Sequence, residues 1–303
     1  MKKVSPRKEM IGTLLVFLTA LISGAAIVIN KSFVVKIDPL LFTAMRTLFV
    51  GVIFLFISLF ISKTKGKSFK KASWKSLISI GIIGGSFAFW LFFEGLKLTT
   101  SGRAGFLHKT LPLFAVILAF IFLKEKITKK YLIALGIMIL GLVLIELTKI
   151  SSSVRLGDFL VLGATILWAI ENTVAKKAML NSESNWVVTF SRMFFGSLIL
   201  FGIILILGKT DLLLSLTSSQ LLYILISGTI LLLYVLTYYW GLRYINLSKA
   251  ATILLISPVI SLVLGILWLN EQVFVLQLIG SFLILIGAFV VVRLRSERRI
   301  EEI

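Results

Sequence analysis

The sequence has no cysteine, a single histidine, three aspartates and four prolines among its 303 residues. Without cysteine there is no disulfide framework and no thiolate to act as ligand or nucleophile. One histidine cannot assemble a transition-metal site without other soft ligands, so no metal or other cofactor is expected. Asp38, Asp158 and Asp211 lie far apart and near polar segments. They offer no carboxylate cluster of the kind that holds metal and phosphate, which argues against an intramembrane lipid-modifying enzyme. Charge is also scarce. Only 15% of residues are Asp, Glu, Lys or Arg and 58% are hydrophobic, whereas soluble domains are about one quarter charged. A water-facing surface needs more polar residues than this to cover it, and lipid is the solvent that removes the contradiction.

What charge there is carries one sign, with a net value of +19. In a soluble protein that excess would point to nucleic acid. Here the basic residues cluster in short segments between apolar runs, where they orient the chain and meet anionic lipid headgroups, so no nucleic-acid partner is expected. The start "MKK" followed by an apolar run has the look of a signal peptide. Against that, the run is long enough to span a membrane and has a counterpart in the second half of the chain.

A spanning helix needs roughly 20 mostly apolar residues. Ten runs qualify: 11–30, 40–62, 76–96, 104–123, 131–148, 158–178, 187–207, 221–242, 250–269 and 273–292. The segments between them are short, the longest being Ser62–Lys75 with six Lys, so no stretch is left for a soluble domain. Alternate loops divide the Lys and Arg unevenly. One side, which includes both tails, holds 22 of the 32, the other holds 8, and Arg46 and Arg192 lie inside runs. This asymmetry places both termini in the cytoplasm. An all-α, multi-pass protein of the cell membrane is expected.

Sliding the chain against itself gives one dominant offset of 146 residues. It matches Thr43 with Thr189, Arg46 with Arg192, Gly95-Leu96 with Gly241-Leu242, and Ala104 with Ala250. It also matches Pro112 with Pro258, Glu125 with Glu271 and Gly141 with Gly287. The first run aligns one residue out of step, so that Lys31 meets Lys176. Two units follow, residues 1–149 and 150–303, with five helices each. Because five is odd, the second unit enters the membrane from the opposite side, and the units are inverted repeats. Such an object opens to either side by exchanging the conformations of its halves, with a solute site near the midplane. Channels and receptors do not require that symmetry.

These residues resemble the EamA-type ten-helix members of the drug/metabolite transporter superfamily. The resemblance rests on the ends of the two units. Each has a helix-end turn, a helix with a central Pro (Pro112, Pro258), a Glu closing that helix (Glu125, Glu271) and a Gly-spaced fifth helix. The stretch "LWAIENTVAKK" in the sixth run is similar to the Trp-containing start of such a unit, whereas the first run has Ser23-Gly24 there. The resemblance implies a secondary transporter moving a small metabolite, such as an amino acid, and implies export. A phosphorylated or nucleotide-linked solute is the rival, because Lys31, Arg46, Lys176 and Arg192 are cationic.

Charges inside a span are costly and usually face a cavity or a partner. Arg46 and Arg192 are either paired gate residues or snorkelling, helix-capping cations. Glu94 and Glu171 have no acidic counterparts, since Trp240 replaces the first and Ala25 or Ala26 the second. Glu171, with Asn172 beside it and Trp168 a turn away, suits a substrate amine or a coupling proton. Its structural alternative is a salt bridge to Lys176 or to a neighbouring helix. His108 is a proton-relay or vestibule residue. Trp90, Trp168 and Tyr238 are expected in the cavity wall. Pro112 and Pro258 each free a carbonyl and serve as hinge or kink. Glu125 and Glu271 are read as caps of the turn into the fifth helix of their own unit. Gly136 and Gly141, like Gly280 and Gly287, suit either packing within a unit or a homodimer contact.

Overall fold

The computed structural model describes residues 2–3, 5–65, 73–147, 155–269, 272–294 and 297–298. Glu271 lies outside them. The ten apolar runs form ten helices long enough to cross a bilayer: α1 (Pro6–Val34), α2 (Pro39–Lys65), α3 (Trp74–Leu98), α4 (Arg103–Phe122), α5 (Lys129–Leu147), α6 (Leu156–Leu180), α7 (Asn185–Ile206), α8 (Ser218–Tyr244), α9 (Leu247–Leu264) and α10 (Val275–Arg293). Several begin before their apolar run, because a polar cap starts the helix outside the lipid-facing part. Pro6 sits in the first turn of α1, with the Ser5 hydroxyl accepting from the Lys8 amide. Thr217 and Gln220 form a capping box at the start of α8. The two ends of the chain meet, Lys2–Lys3 pairing antiparallel with Glu297–Arg298. Large apolar side chains such as Phe56, Phe60, Phe120, Phe282 and Phe289 stand exposed around the bundle. In water they would be a liability, but in lipid they are the expected surface.

The two units are inverted repeats, but neither builds a core of its own. The most extensive helix contacts all join one unit to the other: α5 with α10, α2 with α7, α1 with α8 and α3 with α6. The Gly-spaced fifth helices show why. A Cβ on Gly141 would lie 2.5 Å from the Gly280 carbonyl, and one on Gly280 2.4 Å from the Gly141 carbonyl. A Cβ on Gly287 would lie 2.3 Å from Met138 Cγ, whereas Gly136 has nothing within 4 Å. Small residues therefore seat α5 on α10 between the units, a third use beside the two expected from sequence. A soluble core would rely on large apolar side chains here, whereas in lipid close backbone approach does that work.

Both intramembrane prolines interrupt their helices. In α4 the chain turns at Lys109 and Thr110, and a fresh helix starts at Leu111 with Pro112 at its second residue. In α9 a 3₁₀ turn, Leu254–Ile256, precedes the helix that starts at Ser257 with Pro258. The Ser257 hydroxyl donates to the Leu254 carbonyl at 2.9 Å, satisfying the group that Pro258 frees. A third irregularity was not expected from sequence. Residues Gly81–Phe87 of α3 are π-helical, a form that concentrates at functional sites.

Candidate functional site

The π-helical stretch owes its position to two glycines. A Cβ on Gly85 would fall 1.8 Å from the Arg192 carbonyl, and one on Gly84 2.2 Å from Glu171 Cγ. Helix α3 thus lies directly on α7 and α6, and the widened turn presents the Gly84 carbonyl to the Trp168 indole N–H at 3.1 Å. The adjacent pair Gly84-Gly85 inside an apolar run is the signal that would have pointed here.

Against this contact stands a cluster of ionic and polar groups. Glu171 is wholly buried, and Arg192 is 4% exposed. Arg192 Nη1 lies 3.4 Å from Glu171 Oε2 and donates to the Tyr239 hydroxyl at 2.8 Å. Tyr239 in turn donates to Glu171 Oε1. The Tyr239 hydroxyl bridges the buried pair, which offsets part of the cost of burying it, while among the described residues Arg192 Nε has no hydrogen-bond partner. The partner of Glu171 is therefore Arg192 on a neighbouring helix, not Lys176. Lys176 instead donates to the Leu242 and Ile245 carbonyls at 2.6 and 2.7 Å, closing the end of α8.

Next to this cluster is a cavity of about 110 Å³, walled by both units. Aromatic rings dominate it: Phe89, Phe92 and Phe93 of α3, Trp168 of α6, and Tyr234 and Tyr238 of α8. Its polar lining comprises Ser23, Asn30, Arg46, His108, Asn172 and Arg192. Arg46 does not snorkel. It is 4% exposed, with its guanidinium carbon 5.5, 5.4 and 5.1 Å from the ring centres of Phe42, Phe89 and Phe93. Among the described residues nothing hydrogen-bonds its Nε or Nη1. Arg192 shares one of those rings, with its guanidinium carbon 5.6 Å from the centre of Phe89. His108 packs its ring against Trp168 and Phe92, at 4.9 and 5.3 Å between centres. Among the described residues, His108 Nδ1, Asn172 Oδ1 and Tyr238 Oη are also buried without a hydrogen-bond partner.

Of the residues singled out from sequence, Arg46, His108, Trp168, Asn172, Arg192 and Tyr238 therefore line one cavity. Glu171 stands behind Arg192 rather than in the wall. Trp90 and Glu94 are elsewhere: the indole N–H of Trp90 points to Glu94 Oε1 at 3.3 Å, and Trp90 packs beside Leu40 and Leu200. Pro112 and Pro258 sit at the breaks of α4 and α9. At α4 the break brings Lys109 Nζ inward to Ser23 Oγ at 3.1 Å.

Glu125 requires a correction. It does not cap α5, the next helix of its own unit. Its carboxylate accepts from the backbone N–H of Leu247 and Ser248, at 2.7 and 3.1 Å, and so caps the start of α9 in the other unit. An acid is favourable at a helix N-terminus, and here tertiary packing rather than chain order supplies that helix. Tyr131 strengthens the same junction by donating to the Ser248 carbonyl at 3.0 Å.

Known proteins share this architecture. A crystal structure 17% identical in sequence superposes with a TM-score of 0.73, covering 93% of this chain and 98% of its own, which shows the fold. The uncharacterized transporter YoaV of Bacillus subtilis is 28% identical over 302 residues, covering 97% of this chain and 99% of its own length. An uncharacterized transporter of Archaeoglobus fulgidus is 28% identical over 285 residues, covering 92% and 97%. The EamA-like transporter family matches twice, over residues 10–147 and again over 155–293, once for each five-helix unit. The chain thus belongs to the EamA-like transporter family, and it is a multi-pass transporter of the cell membrane.

Proposed function

We propose that the protein is a secondary transporter that carries a small organic metabolite through the aromatic cavity by alternating access. The observation that carries this reading is a cavity shared by both units and closed toward the termini by bonds between them. On that side Glu125 and Tyr131 of the first unit hold the start of α9 and Glu9 pairs with Lys249 at 2.9 Å, while within the second unit Lys176 holds the end of α8 near the cluster of Arg192, Glu171 and Tyr239. The cavity lies toward the opposite end, where Leu96, Ala104 and Gly105 contribute to its wall. With both termini cytoplasmic, as the Lys and Arg asymmetry indicates, this conformation is the outward-facing one. Inverted repeats supply the second conformation by exchanging roles. A volume near 110 Å³ accommodates a solute on the scale of roughly one benzene ring.

The test is uptake and counterflow in proteoliposomes with a pooled panel of amino acids, organic acids and phosphorylated metabolites, run with and without a pH gradient. Saturable flux of at least one solute is expected, and absence of flux for every solute would sink the proposal. Comparing flux in the two membrane orientations decides whether export, the direction implied by the resemblance, is favoured. A flux indifferent to the pH gradient and to Glu171→Gln would remove proton coupling from the mechanism.

A further inference from the structure

We infer that the transported solute is an organic monocarboxylate with an apolar, ring-sized body, whose carboxylate pairs with Arg46. This inference rests on the cavity being the transport site.

The two units each place an arginine at the same position, and the repeat register lets their surroundings be compared residue by residue. Around Arg192 the second unit supplies an acid, Glu171 from α6, and a phenol, Tyr239 from α8. At the register of the first helix of each unit, 145 residues apart, the position equivalent to Glu171 is Ala26. At the general register of 146, the position equivalent to Tyr239 is Phe93. The first unit therefore reproduces the arginine and the aromatic ring but lacks both the carboxylate and the hydroxyl. Ala26 lines the cavity, as do Arg46 and Phe93. Where the second unit carries a glutamate, the first carries an alanine that lines the cavity.

A guanidinium removed from water without an anion is costly, and the ring faces around it offset only part of that cost. Among the described residues that line the cavity there is no Asp or Glu. Nε and Nη1 of Arg46 are buried and unbonded, so the missing charge is left to the solute. The remaining chemistry narrows the solute further. A cationic solute would meet an uncompensated cation with no carboxylate to offset it, and ring faces otherwise suited to ammonium groups already carry Arg46 and Arg192. A phosphate monoester brings close to two negative charges and needs several donors. The rings packed around Arg46, those of Phe42, Phe89 and Phe93, offer none. A carboxylate supplies one charge, and its apolar body suits Phe92 and Trp168.

The experiment measures ligand binding to the purified full-length protein in nanodiscs, by thermal stabilisation and by the fluorescence of its tryptophans. The probes are 3-phenylpropionate, 3-phenylpropylamine, phenyl phosphate and phenylalanine. Stabilisation by 3-phenylpropionate well above the amine and the phosphate is expected. Two variants isolate the cause. Arg46→Gln should weaken carboxylate binding at least tenfold. Ala26→Glu should place an internal carboxylate against Arg46, abolishing carboxylate binding while raising the melting temperature, which also shows that the variant is folded. Preference for the amine or the phosphate, no stabilisation by the carboxylate, or undiminished carboxylate binding in Ala26→Glu overturns the inference. Flux in proteoliposomes is scored separately. Flux that is indifferent to both variants sinks the carboxylate assignment and leaves transport standing, whereas Arg46-dependent binding without flux does the reverse.

Discussion

Arg46 and Arg192 stand at matching places in the two units, lie over the same phenylalanine, and are equally buried. Arg192 meets a carboxylate and a phenol, while Arg46 meets rings alone. Internal duplication thus provides its own control, because the shared features belong to the fold and the differing ones to the task. One arginine is tied to an acid and a phenol of its own unit. The other stands in the cavity wall among aromatic rings.

The largest way to break this comparison is to remove the arginine that is paired with a carboxylate. Arg192→Gln leaves Glu171 as a buried, unpaired charge and should cost about 3–5 kcal/mol of stability, read as a large fall in the melting temperature of the purified protein. The double variant with Glu171→Gln should recover much of that loss, and strict additivity of the two single effects would refute the pairing. Arg46→Gln should behave oppositely, with stability unchanged or raised, since no partner is stranded. A loss comparable to that of Arg192→Gln would show that Arg46 supports the fold too.

Next in size is the backbone contact that places the cluster. Gly85→Ala puts a methyl against the Arg192 carbonyl and should cost roughly 1–3 kcal/mol or more. Gly136→Ala, where nothing lies within 4 Å, should stay within about 0.5 kcal/mol of the parent. Equal effects at the two sites would mean that α3 and α7 can separate cheaply. Glu125→Ala removes the cap on α9 and should cost about 1 kcal/mol. It should also shift the equilibrium toward opening at the end that carries the termini. The natural absence of cysteine makes this easy to read, because single cysteines introduced near Tyr239 should label faster in the variant, and unchanged labelling would exclude Glu125 as a closure. The smallest effect belongs to Glu94→Gln. Its partner Trp90 stands outside the cavity, so stability should move by less than about 0.5 kcal/mol and flux should not change.

The amount of this legible in sequence follows from the kind of signal each feature leaves. Apolar runs of spanning length, the sidedness of Lys and Arg, and an offset that pairs rare residues such as Pro112 with Pro258 are one-dimensional, and they give ten helices in two inverted units. Several cavity residues could be singled out because a charge or a lone histidine within a span is conspicuous. Trp90 and Glu94 were equally conspicuous yet lie outside the cavity, because helical position along the membrane normal does not reveal which face of α3 meets the interior. The pair Gly84-Gly85 marks in sequence a place where something can approach α3 closely, but which helices approach it is decided by packing.

The sequence by itself determined that this chain lives in lipid, how often it crosses, and that its second half repeats the first upside down. These depend on transfer of each segment between water and hydrocarbon, which is a local property. Only the tertiary structure decided that the units interdigitate, that Glu125 caps a helix of the other unit, and that Glu171 belongs to Arg192. Those outcomes depend on which surfaces meet at a few ångströms, and pairing between distant segments is written in shape complementarity rather than in the order of residues. Arg46 shows both sides of the division: its presence in a span marked it from sequence, but its want of a partner appeared only once everything around it was in place.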